Sequence, residues 1–339
     1  MKRSDWIWVW IALASLAAIS LLVFGAYFSQ RTRNASPVTE LAPVASLTAA
    51  PATAALPYPV EPTLRYDLAP SGKIVFTCQL AGDQICIMNA DGSGFRQLTS
   101  DSYRHWFPSL APGGNNVLFS AFAGTNTYEI YELALDGDIR QLTHSLGVLL
   151  APEVSPDGSR IVFGWGDGLG ENAIWMMERD GSNPHPIYGP PNGSGWDPTW
   201  SPDGEYILFA SLDPAEQVQL FRITPDGTGL TQLTDFDGLR GRSDWSPTGD
   251  VFATYAGAPW LREIYFFEFD GAVRSQVTAG GNNLAPSFSP DGRWIAFTSY
   301  MDNYQDDNGC EIYILRIRDG HTIRLTYNNY CDWQPRWGP

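Results

Sequence analysis

One phrase of apolar and polar positions recurs along the chain. Asp197-Pro198-Thr199-Trp200-Ser201-Pro202-Asp203-Gly204 leads into Tyr206-Ile207-Leu208-Phe209. Pro152-Glu153-Val154-Ser155-Pro156-Asp157-Gly158 leads into Ile161-Val162-Phe163, and Pro286 to Gly292 leads into Trp294-Ile295-Ala296-Phe297. Looser copies lie at Pro108 to Gly114 and Ser243 to Gly249. The central prolines Pro112, Pro156, Pro202, Pro247 and Pro290 follow one another at intervals of 44, 46, 45 and 43 residues. A fixed period of this length means an array of one supersecondary unit.

Each unit reads as four strands. The Pro-x-Trp-Ser stretch is the first, and a Pro-Asp-Gly turn follows it, where Pro presets φ and Gly accepts positive φ. The Ile-x-Phe run is the second. The third carries Glu129-Ile130-Tyr131, Glu263-Ile264-Tyr265, Glu311-Ile312-Tyr313 or a variant. Asp-Gly comes next in every copy, at Asp91, Asp136, Asp180, Asp226, Asp270 and Asp319, and between alternating apolar runs this pair is a hairpin signal. The fourth strand ends in Leu98-Thr99, Leu142-Thr143, Leu233-Thr234, Val277-Thr278 or Leu325-Thr326, with Ile187-Tyr188 in the third copy. Four-stranded units of about 45 residues predict propeller blades. Six Asp-Gly turns predict an all-β, six-bladed β-propeller of four-stranded blades. The first unit opens at a second strand, Lys73-Ile74-Val75-Phe76, and the chain stops at a first strand, Gln334 to Pro339. The C-terminal strand is therefore expected to join the first blade and close the ring.

Two segments depart from this pattern. Trp6 to Phe28 is an uncharged apolar run of 23 residues, long enough to span a bilayer and longer than the core of a signal peptide. Residues 1–33 are expected to hold one transmembrane anchor helix. Residues 34–63, rich in Pro, Ala and Thr, are expected to be an extended linker, and residues 64–339 the propeller. The chain has 37 acidic and 21 basic side chains, a net charge of −16. Such a surface repels a phosphate backbone and excludes a nucleic-acid partner.

Little in the sequence signals catalysis. His105, His144, His185 and His321 have no spaced partners, and Cys78, Cys86, Cys310 and Cys331 show no metal spacing. The acidic insertion with Asp302, Asp306 and Asp307 offers oxygen ligands for Ca²⁺ but misses the loop pattern that ion requires; a solvated loop is the expectation. Period-two alternation in the first strands places Ser109, Glu153, Thr199, Asp244, Ser287 and Arg336 in a polar row near the central channel, where the charges are expected to be structural.

Trp-Ser-Pro-Asp-Gly, Ile-x-Phe, Glu-Ile-Tyr, Asp-Gly and Leu-Thr together resemble the WD40-like β-propeller repeat of the TolB-type family, over roughly residues 70–339. The resemblance implies a six-bladed propeller outside the cytoplasm that binds other proteins at the cell envelope. In TolB an α/β domain precedes the propeller; the anchor and linker are expected in that place here. Related propellers resemble those of prolyl-oligopeptidase-type peptidases, but the Gly-x-Ser-x-Gly elbow of their hydrolase domain is missing. The expected function is a membrane-anchored scaffold or sensor module, not an enzyme, for a protein, peptide or glycan partner. The alternative is a glycan lyase or peptidase-like hydrolase working at the channel mouth. In a compartment of that kind Cys78–Cys86 and Cys310–Cys331 are expected to pair. The two–three and four–one loops vary while the turns repeat, so the binding face is expected there. It would present Tyr103, His105, Trp106, Trp165, Trp196, Trp260, Tyr304, Tyr330 and Trp333, with the Pro-Asp-Gly face toward the membrane.

Overall fold

A computed structural model describes residues 69–80, 82–124, 127–189 and 193–339. The anchor expected over 1–33 and the linker over 34–63 lie outside these residues. Among the described residues all regular structure is β, and no helix is long and apolar enough to cross a membrane. Pro62–Pro339 forms one compact unit.

The first unit contributes β1 (Lys73–Cys78), β2 (Gln84–Asn89) and β3 (Arg96–Gln97). The second holds β4 (His105–Leu110), β5 (Asn116–Gly124), β6 (Thr127–Ala134) and β7 (Ile139–Gln141). Next come β8 (Val148–Val154), β9 (Arg160–Gly166), β10 (Asn172–Glu178) and β11 (His185–Tyr188), then β12 (Gly195–Trp200), β13 (Ile207–Leu212), β14 (Val218–Ile223) and β15 (Thr231–Gln232). The last two sets are β16 (Asp244–Trp245), β17 (Val251–Ala256), β18 (Glu263–Glu268), β19 (Val273–Gln276), and β20 (Asn283–Phe288), β21 (Trp294–Ser299), β22 (Glu311–Arg316), β23 (His321–Arg324). Finally β24 (Asp332–Gly338) pairs antiparallel with β1, placing Trp337 opposite Ile74, Arg336 opposite Val75 and Asp332 opposite Cys78.

The blade count differs from the expectation. Four blades are separate four-stranded sheets: β24-β1-β2-β3, β12 to β15, β16 to β19 and β20 to β23. The second and third repeat units are not separate blades but one eight-stranded sheet. Its junction is a parallel bridge, Tyr128 to Val148, supported by the Tyr128 amide donating to the Gly147 carbonyl at 3.1 Å. The cause is strand length. At nine and eight residues, β5 and β6 outrun the six- and seven-residue middle strands elsewhere. The overhang of β6 meets an early start of β8 at Val148. Counting Asp-Gly turns could not reveal this, because both units keep their turns. The six-blade count that came with the family resemblance gives way to four separate blades and one double sheet.

The repeated motifs each close a specific contact. In the Ser-Pro-Asp-Gly turns and in Ser246-Pro247-Thr248-Gly249, the Gly158, Gly204, Gly249 and Gly292 amides donate to the carbonyls of Ser155, Ser201, Ser246 and Ser289 at 2.8–2.9 Å. The serine hydroxyls donate to Asp157, Asp203 and Asp291 and accept the amides of Arg160, Tyr206 and Trp294. Glu-Ile-Tyr and Leu-Thr form a clasp. Thr143, Thr278 and Thr326 donate to Glu129, Glu263 and Glu311, while their hydroxyls accept the amides of Ile130, Ile264 and Ile312. The third copy lacks both halves of the clasp at once, with Ala173 and Tyr188 in their places. Phe76, Phe119, Phe163, Phe209 and Phe297 of the second strands are fully buried. They pack in apolar clusters between adjacent units, which exclude water from both faces of each middle strand.

Candidate functional site: the channel mouth and its loop face

The first strands β4, β8, β12, β16, β20 and β24 meet one another in sequence around the axis. Each turns left-handed at the residue before its Pro-x-Trp motif: Phe107, Ala151, Asp197, Arg242, Ala285 and Gln334 all have positive φ. The register slips there as well, between Trp106 and Ser109, Leu150 and Glu153, Trp196 and Thr199, and Leu284 and Ser287. A bulge adds a residue and re-aims the side chains around it. The axis is therefore lined in two tiers rather than one.

The deeper tier is the polar row read from the sequence. Arg336 reaches from β24 toward β16 and β8: its Nη1 lies 2.9 Å from Asp244 Oδ1 and its Nη2 3.5 Å from Glu153 Oε2, and Nη2 donates to the Ser243 carbonyl at 3.1 Å. Glu153 accepts the Thr199 hydroxyl at 3.1 Å and the Trp200 amide at 3.0 Å. Asp244 accepts the Ser287 hydroxyl and the Phe288 amide at 2.9 and 2.7 Å. Burial pushes Glu153 above the usual carboxylate range, against the pull of Arg336. Burial also opposes the charge of Arg336, but Asp244 and Glu153 outweigh it and raise its pKa. A cavity of about 220 Å³ is lined by this tier and by the Pro112, Pro156 and Pro202 turns. A buried ion network of this kind fixes geometry more than it adds stability.

The upper tier was not read from the sequence. Arg242, two residues before β16, sets its guanidinium 5.2 Å from the centroid of the Phe107 ring, which belongs to β4. Its amide donates to Asp197 Oδ2 at 3.1 Å. Burial, then the Arg336 charge, lowers its pKa to about 10, and burial raises that of Asp197. The signal was present in the residue preceding each Pro-x-Trp motif. Strict alternation turned those residues away from the axis because it took no account of the bulge.

The nine predicted face residues do not form one continuous site. Trp106 and Trp333 meet edge to face at 6.2 Å, and Trp106 also stacks on Tyr128 at 5.0 Å. Trp260 and Tyr304 meet at 6.1 Å, with Tyr300 4.9 Å from Trp260 and the Tyr304 hydroxyl donating to the Trp260 carbonyl at 2.6 Å. Tyr103 and His105 line a cavity of about 410 Å³ with Phe119 and Tyr131. His105 is buried, and its Nε2 lies 2.8 Å from Asp101 Oδ1, which holds the four–one loop. Asn283 and Asp332, at the equivalent position, hold their loops through Gly280 and Asn328. Trp165 stacks on Trp175 and donates to the Leu146 carbonyl. Trp196 and Tyr330 pack against the cores between units. Tyr128, Tyr300 and Trp175 are the partners that sequence reasoning missed, because they become neighbours only across strands or units.

The remaining candidates fall elsewhere. Asp302 is paired with Arg324 at 2.7 Å and accepts the Tyr313 hydroxyl, while Asp306 accepts the Asn308 amide within its own loop. Among the described residues, no three His, Cys, Asp or Glu side chains gather to hold a metal ion. Cys78 is bonded to Cys86 and Cys310 to Cys331, with Cα separations of 5.9 and 4.5 Å.

Comparison with known proteins completes the picture. An uncharacterized protein of Agrobacterium fabrum is 30% identical over 192 residues, covering 42% of this chain and 61% of its own length. A TolB homologue of Chlorobium chlorochromatii is 30% identical over 169 residues, covering 48% of this chain and 37% of its own. The chain thus spans less than two thirds of these relatives. The crystal structure of TolB from Acinetobacter baumannii superposes with a TM-score of 0.66 over 78% of this chain and 66% of that one, at 20% identity, a likeness of fold. Residues 71–306, more than half of the chain, match the TolB beta propeller domain, and the chain belongs to that family.

Proposed function

We propose that this propeller is a binding module, without catalysis of its own, that captures a protein or peptide partner outside the cytoplasm through its loop face. The observation that carries the reading is the cluster around Trp260. Trp260 takes a left-handed turn at φ 66°, which sets the direction of its side chain. Here it holds an indole against Tyr300 and Tyr304 at the rim, beside Leu261, which is 66% exposed, and exposed Met301. Aromatic side chains with one free edge beside exposed apolar groups are the usual anchors of protein interfaces. Two buried disulfides favour an oxidising compartment. The TolB names of the relatives favour the envelope, and residues 1–33 would supply the membrane anchor.

Changing Trp260, Tyr304 and Trp333 together to Ala tests the face. Capture of the co-purifying partner should fall at least tenfold, since hot-spot aromatics each contribute roughly 2 kcal/mol, with the melting curve staying cooperative. Capture that survives this change, but is lost when the Asp-Gly turns are altered, would place the binding face on the other side. Protease added to intact cells should release the propeller at the 34–63 segment. A propeller protected until lysis would overturn both the anchor and the location.

A further inference from the structure

Arg242, like Arg160, Arg222 and Arg262, has no ion-pair partner among the described residues, and it lies beside the axis against the Phe107 ring. With 37 acidic side chains available, none is placed within 4 Å of the Arg242 guanidinium among the described residues, although the residue is only 5% exposed. Its Nε is buried with no acceptor among the described residues. The neighbouring carboxylate, Asp197, is taken up by the backbone amide of Arg242 rather than by its side chain. The other axial arginine, Arg336, has two carboxylates and a carbonyl. Leaving a buried cation without an opposite charge is costly, and an acceptor arriving at the axis would offset that cost. The Phe107 ring beneath it fixes the guanidinium plane in advance, which reduces the entropy lost when an acceptor arrives. Trp106 and Trp333, one residue outward from Phe107 and Gln334, also have buried indole N–H groups without acceptors. Arg242, Trp106 and Trp333 each offer a donor, and the cation among them suits an acceptor that carries negative charge.

We propose that the loop-side mouth of the channel is a carboxylate-binding site, in which Arg242, held over Phe107, receives a carboxylate of the bound peptide. This rests on the loop face being the binding face and adds the chemistry of the ligand. The planar fork of Arg242 suits a two-oxygen acceptor. Glu153 and Asp244 below are already engaged with Arg336, so they leave the upper tier to an incoming acid.

The test uses the full chain in detergent, labelled with ¹⁵N-arginine and titrated with sodium acetate against sodium chloride at equal ionic strength. One Nε–Hε resonance, missing from Arg242→Lys, should shift saturably with acetate and not with chloride. Acetyl-triglycine should bind and its C-terminal amide should not. Acetyl-Gly-Asp-Gly-amide then tells whether an internal side-chain carboxylate serves as well as a terminal one. Arg242→Met, which keeps an apolar side chain over Phe107, should abolish the shift and raise the melting temperature by removing an unpaired buried charge. A resonance that ignores acetate, or an Arg242→Met variant that melts lower with partner capture intact, would overturn the carboxylate site and leave the loop-face reading standing. Loss of capture in the Trp260, Tyr304 and Trp333 variant is independent of this outcome.

Discussion

At the scale of the residue, the motifs act through single hydrogen bonds, and the most consequential side chain is one that the motifs do not mention. Asp332 opens the closing strand with its side chain fully buried. It accepts the Asn328 amide group at 2.7 Å, while Oδ1 has no partner. Burial, with a contribution from the nearby Glu311 charge, pushes its pKa from 3.8 to about 7. The folded state therefore keeps this proton over a range in which the unfolded chain has lost it. The stability it contributes is complete below about pH 4 and is lost as pH rises toward 7, on the order of 4 kcal/mol in all. Asp332→Asn should flatten the stability profile between pH 4 and 7 and raise the melting temperature at pH 8. Chemical denaturation across that range checks it, and an unchanged slope in the variant would show that Asp332 is not the titrating group.

At the scale of the element, the four-stranded unit was legible because its turns and clasps are local. Ser-Pro-Asp-Gly, Asp-Gly and Glu with Thr each close within one hairpin or between adjacent strands, so their spacing is fixed by the chain itself. What was illegible arises between strands and between units: the Tyr128 to Val148 bridge, the first-strand bulges that create the upper channel tier, and the ring contacts of Tyr128 with Trp106 and of Tyr300 with Trp260. The Asp-Gly glycines show both sides. Each is read as a turn residue, yet Gly271, at φ 90°, also lies so close to the preceding unit that an added Cβ would stand 1.9 Å from the Leu233 carbonyl oxygen. Gly137, at φ 121°, has nothing within 4 Å. Gly137→Ala should cost about 1 kcal/mol of backbone strain, whereas Gly271→Ala should cost about 3 kcal/mol or more, because the backbone of the neighbouring unit must move. Equal losses in urea titration would mean that the Asp-Gly motif serves the turn alone.

At the scale of the whole molecule, the ring is only as sound as the seam where its two ends meet. Adjacent units elsewhere are joined by a short connection, so the chain holds them near one another. The seam instead joins strands more than 250 residues apart, Lys73–Cys78 and Asp332–Gly338, and the entropy of closing so long a loop falls on it. The devices found there are strong ones. Trp337 donates its indole N–H to the Ser71 carbonyl and its amide to the Ser287 hydroxyl, tying β24 to the segment before β1 in its own sheet and to β20 of the next one. Cys310–Cys331 joins the residue just before β24 to the residue just before β22, and Cys78, bonded to Cys86, lies directly opposite Asp332. The two disulfides thus flank one end of the same seam. A loop of 21 residues closed by Cys310–Cys331 should contribute about 3 kcal/mol, and the eight-residue loop of Cys78–Cys86 somewhat less. Because they share the seam, their effects should not add. Replacing Cys310 and Cys331 with Ser should lower stability by about 3 kcal/mol, and replacing Cys78 and Cys86 afterwards should cost less than it does alone, since the seam is already open. Deleting residues 331–339 should remove as much as the first pair and abolish the further effect of the second. Strict additivity, or a truncated chain that melts with the intact one, would show that the ring holds without its seam and that β24 is not what closes it.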